Sequence, residues 1–112
     1  MKLITAYIKP HLLDRTREAL LNVGATGITI TEVKGFGRQL GHTELYRGAE
    51  YAVDFLPKIK IEIICKDEQQ QDFIKAIVDT NKADKIGAGK ITVTPLEEVI
   101  RIRTGETDDE AV

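Results

Sequence analysis

The sequence predicts an α+β domain of ferredoxin-like type, β-α-β-β-α-β, built on an antiparallel four-stranded sheet. Three observations carry this. Four segments have the short apolar or alternating pattern of strands, two have apolar residues at the 3/4 spacing of helices, and they occur in that order. With 112 residues there is length for one domain, 1–112, and a modest core.

Residues 2–8, KLITAYI, are apolar on both parities and closed by Lys9-Pro10, which predicts a buried first strand. Asp14 is placed to cap a helix over roughly 15–23, with Thr16, Ala19, Leu20 and Val23 on one face and Gly24 ending it. Residues 28–34, ITITEVK, alternate as a second strand. Residues 59–65, IKIEIIC, put Ile59, Ile61 and Ile63 on one face as a third. Asp67 opens a second helix to about Thr80, with Gln70 at the capping-box position and Phe73, Ile74, Ile77 and Val78 as its buried stripe. Residues 90–94, KITVT, form the fourth strand. After Pro95, LEEV suits one helical turn, and IRIR at 100–103 alternates again. The acidic tail, about 104–112, reads as mobile. Because the first strand is apolar on both faces, the sheet face away from the helices is expected to be an apolar patch covered in a homo-oligomer.

About twenty residues separate the second and third strands, from about 37 to 57. Loops of that length in small domains are usually functional or disordered. This one contains LYRGAEYAVDF, with Tyr46 and Tyr51 among charged residues and no helical or strand period. Such placement displays the tyrosines rather than burying them.

Composition narrows the function classes. The chain is 42% hydrophobic and 30% charged, with 5% aromatic residues and no Trp, so the core is aliphatic. A net charge of −2 is far from the basic footprint of a nucleic-acid binder. The apolar runs are too short for membrane insertion, and the N-terminus reads as a strand rather than a signal peptide. Cys65 is the single cysteine, so no internal disulfide forms, which fits a reducing, cytoplasmic setting.

Several residues suggest an anion site. Gly35-Phe36-Gly37-Arg38 follows the second strand and Gly87-Ala88-Gly89-Lys90 precedes the fourth. Glycines let backbone amides approach an anion, and the adjacent cation neutralises it. Neither completes a Walker A or GxGxxG pattern, and each alone reads more readily as a strand-end turn, although two such turns, each ending in a cation, modestly favour phosphate binding. Arg101 and Arg103, two apart on a strand, would present two guanidinium forks to a polyphosphate or simply face solvent. Lys58 at the end of the long loop has the same two readings. His11, His42 and Cys65 are isolated and make neither a metal site nor a nucleophile pair.

The segments IKP at 8–10, REAL at 17–20, TEVKGFGRQ at 31–39, YRGAEY at 46–51, KIGAGKI at 85–91 and VIRIRTGE at 99–106 together resemble the PII nitrogen-regulatory signal proteins. The resemblance spans nearly the whole chain and implies a homotrimer whose long loop is the family's T-loop. It implies ATP or ADP in clefts between subunits, and 2-oxoglutarate bound with Mg²⁺-ATP. By matching position, nucleotide phosphates would meet Gly37, Arg38, Gly87, Gly89, Lys90, Arg101 and Arg103, the last two from a neighbouring subunit. Thr29, Gly35, Glu62 and Ile64 match positions around the adenosine. Gln39 matches the Mg²⁺ ligand, and Lys58 the partner of the distal carboxylate of 2-oxoglutarate. The backbone at Arg38, Gln39, Leu40 and Gly41, with Gly87, would hold its other end.

The resemblance further implies a regulator rather than an enzyme, switched by uridylylation of Tyr51, with Arg47 as a contact for an ammonium transporter. The other partners it implies are a uridylyltransferase, a glutamine synthetase adenylyltransferase and a nitrogen sensor kinase. The chain departs from the family pattern at Leu40, usually basic, at Ala83, usually Ser/Thr, at Ala88, usually Asp, and at Thr92, usually aromatic. Ala49 stands where one branch carries a phosphorylated serine. Two other classes compete: a small ferredoxin-like enzyme acting on phosphates or nucleotides, and a structural trimeric adaptor. The first lacks an evident nucleophile or acid/base pair, and the second leaves Arg38, Gln39, Lys58, Lys90, Arg101 and Arg103 unexplained.

Overall fold

A computed structural model describes residues 1–36, 55–83 and 88–112. Its elements are β1 (Lys2–Ile8), α1 (Leu13–Asn22), β2 (Thr29–Gly35), β3 (Leu56–Cys65), α2 (Gln70–Asn81) and β4 (Lys90–Pro95). The four strands form one antiparallel sheet in the order β2-β3-β1-β4, the ferredoxin-like arrangement.

Register decides which face each residue serves. Ile4 lies between Ile63 and Val93, Ala6 between Ile61 and Ile91, and Ile8 opposite Ile59. These residues face the helices, where Leu20, Phe73 and Ile77 complete the core. Burying a side chain such as Phe73 or Ile61 fully is worth about 1.5–3 kcal/mol, and both are 1% exposed. Cys65 sits in the same core, and burial pushes its thiol pKa up.

The helix ends differ in detail from the expected ones. A short 3-10 turn, Pro10–Leu12, leads into α1, so Leu12 rather than Asp14 occupies the cap position. Asp14 instead sits in the exposed first turn, 3.3 Å from Arg17. Gly24, at φ 103°, ends the helix. There Ala25 N donates to Leu20 O and Gly24 N to Leu21 O, the paired bonds of a Schellman motif. A second 3-10 turn, Asp67–Gln69, precedes α2, and Gln69, not Gln70, accepts from Lys66 N at 2.9 Å as the capping-box residue. Val23 and Val78 lie outside the buried stripes, 41% and 42% exposed.

The far sheet face also differs from the expected apolar patch. It carries Thr29, Thr31 and Val33 on β2, Lys58, Lys60, Glu62 and Ile64 on β3, Leu3, Thr5 and Tyr7 on β1, and Lys90, Thr92 and Thr94 on β4. Threonines and charges dominate, because only β1 is apolar on both parities.

The C-terminal segment is ordered differently too. LEEV forms no helical turn, and residues 100–103 form no strand beyond a bridge between Ile100 and Thr107. The acidic tail folds back. Arg101 N donates to Glu106 O at 2.9 Å, Gly105 N to Arg101 O at 2.8 Å and Asp108 N to Val99 O at 2.7 Å. Asp108–Glu110 then form a 3-10 turn. Thr104-Gly105 closes a tight reversal that an alternation reading of IRIR does not anticipate.

Candidate functional site

Thr29, Glu62, Ile64 and Arg101 line one groove of about 580 Å³. Thr29 and Glu62 are direct partners across β2 and β3, so their side chains share the face away from the helices. Ile64 follows two residues along β3 and is 44% exposed. Arg101 reaches the groove from the folded-back C-terminal segment. Its guanidinium is fixed by Glu106, Nη1 donating to Oε1 at 2.9 Å, and Thr104 Oγ1 donates to the same oxygen at 2.8 Å. Arg103 lies in the exposed turn and does not line the groove, because residues 101–104 turn rather than extend. The expected pairing of the two arginines on one strand is therefore replaced by one inward and one outward position.

The opposite end of β2 and β3 holds a second group. Gly35 ends β2, and Lys58 lies within β3, not before it, opposite Val33. An ideal Cβ on Gly35 would sit 3.3 Å from Lys58 Cγ, so the lysine stem packs directly on the glycine. Desolvation and the neighbouring Lys9 hold the Lys58 pKa below the ordinary lysine value. Four residues of strand, about 13 Å, separate Lys58 from Glu62.

Gly89 and Lys90 lie at the β4 edge. Gly89 has φ 108°, and a Cβ there would overlap the carbonyl oxygen of Tyr7. Only glycine lets the chain pass this close to β1 before Lys90 pairs with Tyr7. Across the sheet, β4 is three strand spacings, about 14 Å, from β2. Ala83 and Ala88 line a separate cavity of about 400 Å³ between α2 and β4, together with Asn81, Lys82 and Lys90.

One chain therefore gathers part of the expected set and keeps the rest apart. Gly37, Arg38, Gln39, Leu40, Gly41, Arg47, Tyr51 and Gly87 lie outside the described residues, as do Tyr46 and His42. Among the described residues no three His, Cys, Asp or Glu cluster as metal ligands, and no helix is long and apolar enough to cross a membrane. Among the contributors not expected from sequence are Glu106, which holds Arg101, and the C-terminal Ala111 and Val112, which line the groove. Their signal is a fold-back that neither charge nor period announces.

The family model for nitrogen regulatory protein P-II matches residues 1–106. The chain belongs to this family. It is 62% identical, over the full length of both chains, to a nitrogen regulatory protein P-II of Pasteurella multocida. It is also 62% identical to nitrogen regulatory protein P-II 1 of Escherichia coli K12 and 58% to a P-II protein of Cereibacter sphaeroides, again over whole chains. P-II membership makes the chain a nitrogen regulatory protein, and its relatives are named as regulators.

Proposed function

We propose that the protein senses adenine nucleotide and 2-oxoglutarate together and reports their balance to nitrogen-assimilation proteins. The observation that carries this reading is the division of the candidate residues. Thr29, Glu62, Ile64 and Arg101 share one groove, while Gly35, Lys58, Gly89 and Lys90 lie toward the other end and edge of the sheet. A second copy of the chain would bring the two groups together, as a homotrimer with nucleotide clefts between its subunits does. ATP or ADP would place adenosine against Thr29, Glu62 and Ile64 and its phosphates against Arg101, Gly89 and Lys90. Gly35, beside the adenosine, and Gly37, Arg38, Gly87 and Arg103 complete the nucleotide set in this proposal.

2-Oxoglutarate would set its distal carboxylate on Lys58, with the backbone of Arg38, Gln39, Leu40, Gly41 and Gly87 at its other end. Mg²⁺ held through Gln39 would neutralise two anions that otherwise repel. The T-loop is the output, recruiting an ammonium transporter through Arg47 and acting on a glutamine synthetase adenylyltransferase and a nitrogen sensor kinase. A uridylyltransferase would modify Tyr51. The protein acts in the cytoplasm, with membrane recruitment only through the transporter. Incubation with uridylyltransferase and UTP, read by intact mass, tests the switch. One uridylyl group per chain is expected and none on Tyr51→Phe; an equal gain on that variant overturns the assignment.

A further inference from the structure

Residues 101–106 close on themselves. Arg101 N donates to Glu106 O and Gly105 N to Arg101 O, so the two backbones are paired where their side chains meet. Gly105, at φ 76°, supplies the left-handed residue of the reversal. Further out, Asp108 N donates to Val99 O, Val99 N donates to Asp108 Oδ1 at 3.3 Å, and Ile100 and Thr107 form a bridge. The incoming and outgoing chains are thus tied together on both sides of the Arg101–Glu106 pair.

Within this loop one carboxylate oxygen takes two donors. Glu106 Oε1 accepts from Arg101 Nη1 at 2.9 Å and from Thr104 Oγ1 at 2.8 Å. Thr104 Oγ1 in turn accepts from Glu106 N at 3.2 Å, so the hydroxyl orients the carboxylate that orients the guanidinium. The Arg101 and Glu106 side chains are 38% and 43% exposed, and exposed pairs of this kind contribute little to folding. Neither Glu106 nor Thr104 lines the groove that Arg101 shares with Thr29, Glu62 and Ile64. Their influence on a ligand in that groove therefore runs through Arg101. A guanidinium carries several N–H donors in a planar fork, and Glu106 engages one of its nitrogens, which leaves donors for an anion. A long arginine side chain has much rotamer freedom to lose on meeting that anion. Here part of the loss is taken on folding, before a ligand arrives.

We propose that Glu106, oriented by Thr104, is a positioning residue for nucleotide phosphate: it holds the Arg101 fork at the groove, so that ATP or ADP meets an arginine already set. This rests on the phosphate role proposed for Arg101. The carboxylate charge itself repels phosphate, so two variants are needed to separate charge from position. Glu106→Ala removes the charge and the acceptor oxygen together. Glu106→Gln removes the charge and keeps an Oε1 for Arg101 and Thr104.

Calorimetry of Mg²⁺-ATP and of ADP into the full chain tests it, alongside NMR of the Arg101 Nε–H group in the unliganded protein. Glu106→Ala is expected to bind both nucleotides about twofold to tenfold more weakly than Glu106→Gln, the effect of ordering one long side chain on binding. The Arg101 side chain should be ordered in the parent and in Glu106→Gln and mobile in Glu106→Ala. Thr104→Val, which leaves the carboxylate in place, should shift order and affinity in the same direction as Glu106→Ala, so the test does not depend on one variant. Equal affinity of the Ala and Gln variants, or tighter binding by the Ala variant, overturns the positioning role. Weaker binding by Glu106→Ala with Arg101 still ordered also overturns it. Nucleotide affinity unmoved by Arg101→Gln refutes the underlying role of Arg101 instead, and the positioning role falls with it.

Discussion

The carbonyl oxygen of Tyr7 occupies the space that any side chain at Gly89 would need. The same glycine has φ 108°, a conformation that L residues avoid. Gly89→Ala therefore meets a backbone atom that cannot rotate away, and the strand entry must shift. The expected cost is about 1–3 kcal/mol from the backbone conformation alone, with displacement from β1 added to it. Urea unfolding of parent and variant measures it; a change under 0.5 kcal/mol on this scale of surface effects would contradict the geometry.

Thr16 and Asn81 tie the two helices together. Asn81 Nδ2 donates to Thr16 Oγ1 at 2.9 Å, and Thr16 Oγ1 donates to Leu12 O at 2.8 Å. Both residues are buried, and Asn81 Oδ1 is buried with no hydrogen-bond partner. Thr16→Val should cost about 1–3 kcal/mol, because Asn81 then loses a partner it cannot replace with water. Thr16→Val combined with Asn81→Leu should cost less than the sum of the single changes, since the second removes the stranded amide. A double-mutant cycle by chemical denaturation reads the coupling, expected within about 0.5–3 kcal/mol.

Asp67 gives the fold an acid-sensitive contact. Its Oδ1 accepts from the Met1 ammonium at 2.7 Å and from Lys2 Nζ at 3.0 Å, and these bonds hold its carboxyl below the ordinary range. A depressed folded pKa means the unfolded chain binds the proton more readily. The contribution is thus fully present above the unfolded value of about 3.9 and fades as pH falls through the folded one. Asp67→Asn should flatten the acid limb of stability below about pH 4 relative to the parent. Superimposable limbs in pH-dependent melting would contradict this.

Lys58 works in the other direction. Its lowered pKa means the folded chain gives up the ammonium proton before the unfolded chain does. Stability should rise as pH climbs through the folded value toward the unfolded value of about 10.4. Lys58→Met should remove that rise from alkaline denaturation curves; a rise of the same size in the variant would show that Lys58 is not its source.

Much of this was legible in the sequence because sheet and helix periods are local. The runs KLITAYI and IKIEIIC display their core parity directly, and Phe73 with Ile77 marks the buried side of α2. Helix starts were less legible. Asp14 and Gln70 are good capping residues, but each helix is entered through a 3-10 turn that moves the cap by one or two positions. IRIR has strand alternation, yet the reversal at Thr104-Gly105 and the bond network of Arg101 and Glu106 outweigh it. In the site, Lys58 and Gly35 were visible from the family motif.

The most direct test of the central claim is titration of 2-oxoglutarate into the protein with Mg²⁺-ATP or with ADP. Joint sensing predicts calorimetric binding with Mg²⁺-ATP and affinity weaker by about tenfold or more, the effect of about 1.4 kcal/mol of coupling, with ADP. Equal affinity with the two nucleotides would contradict it.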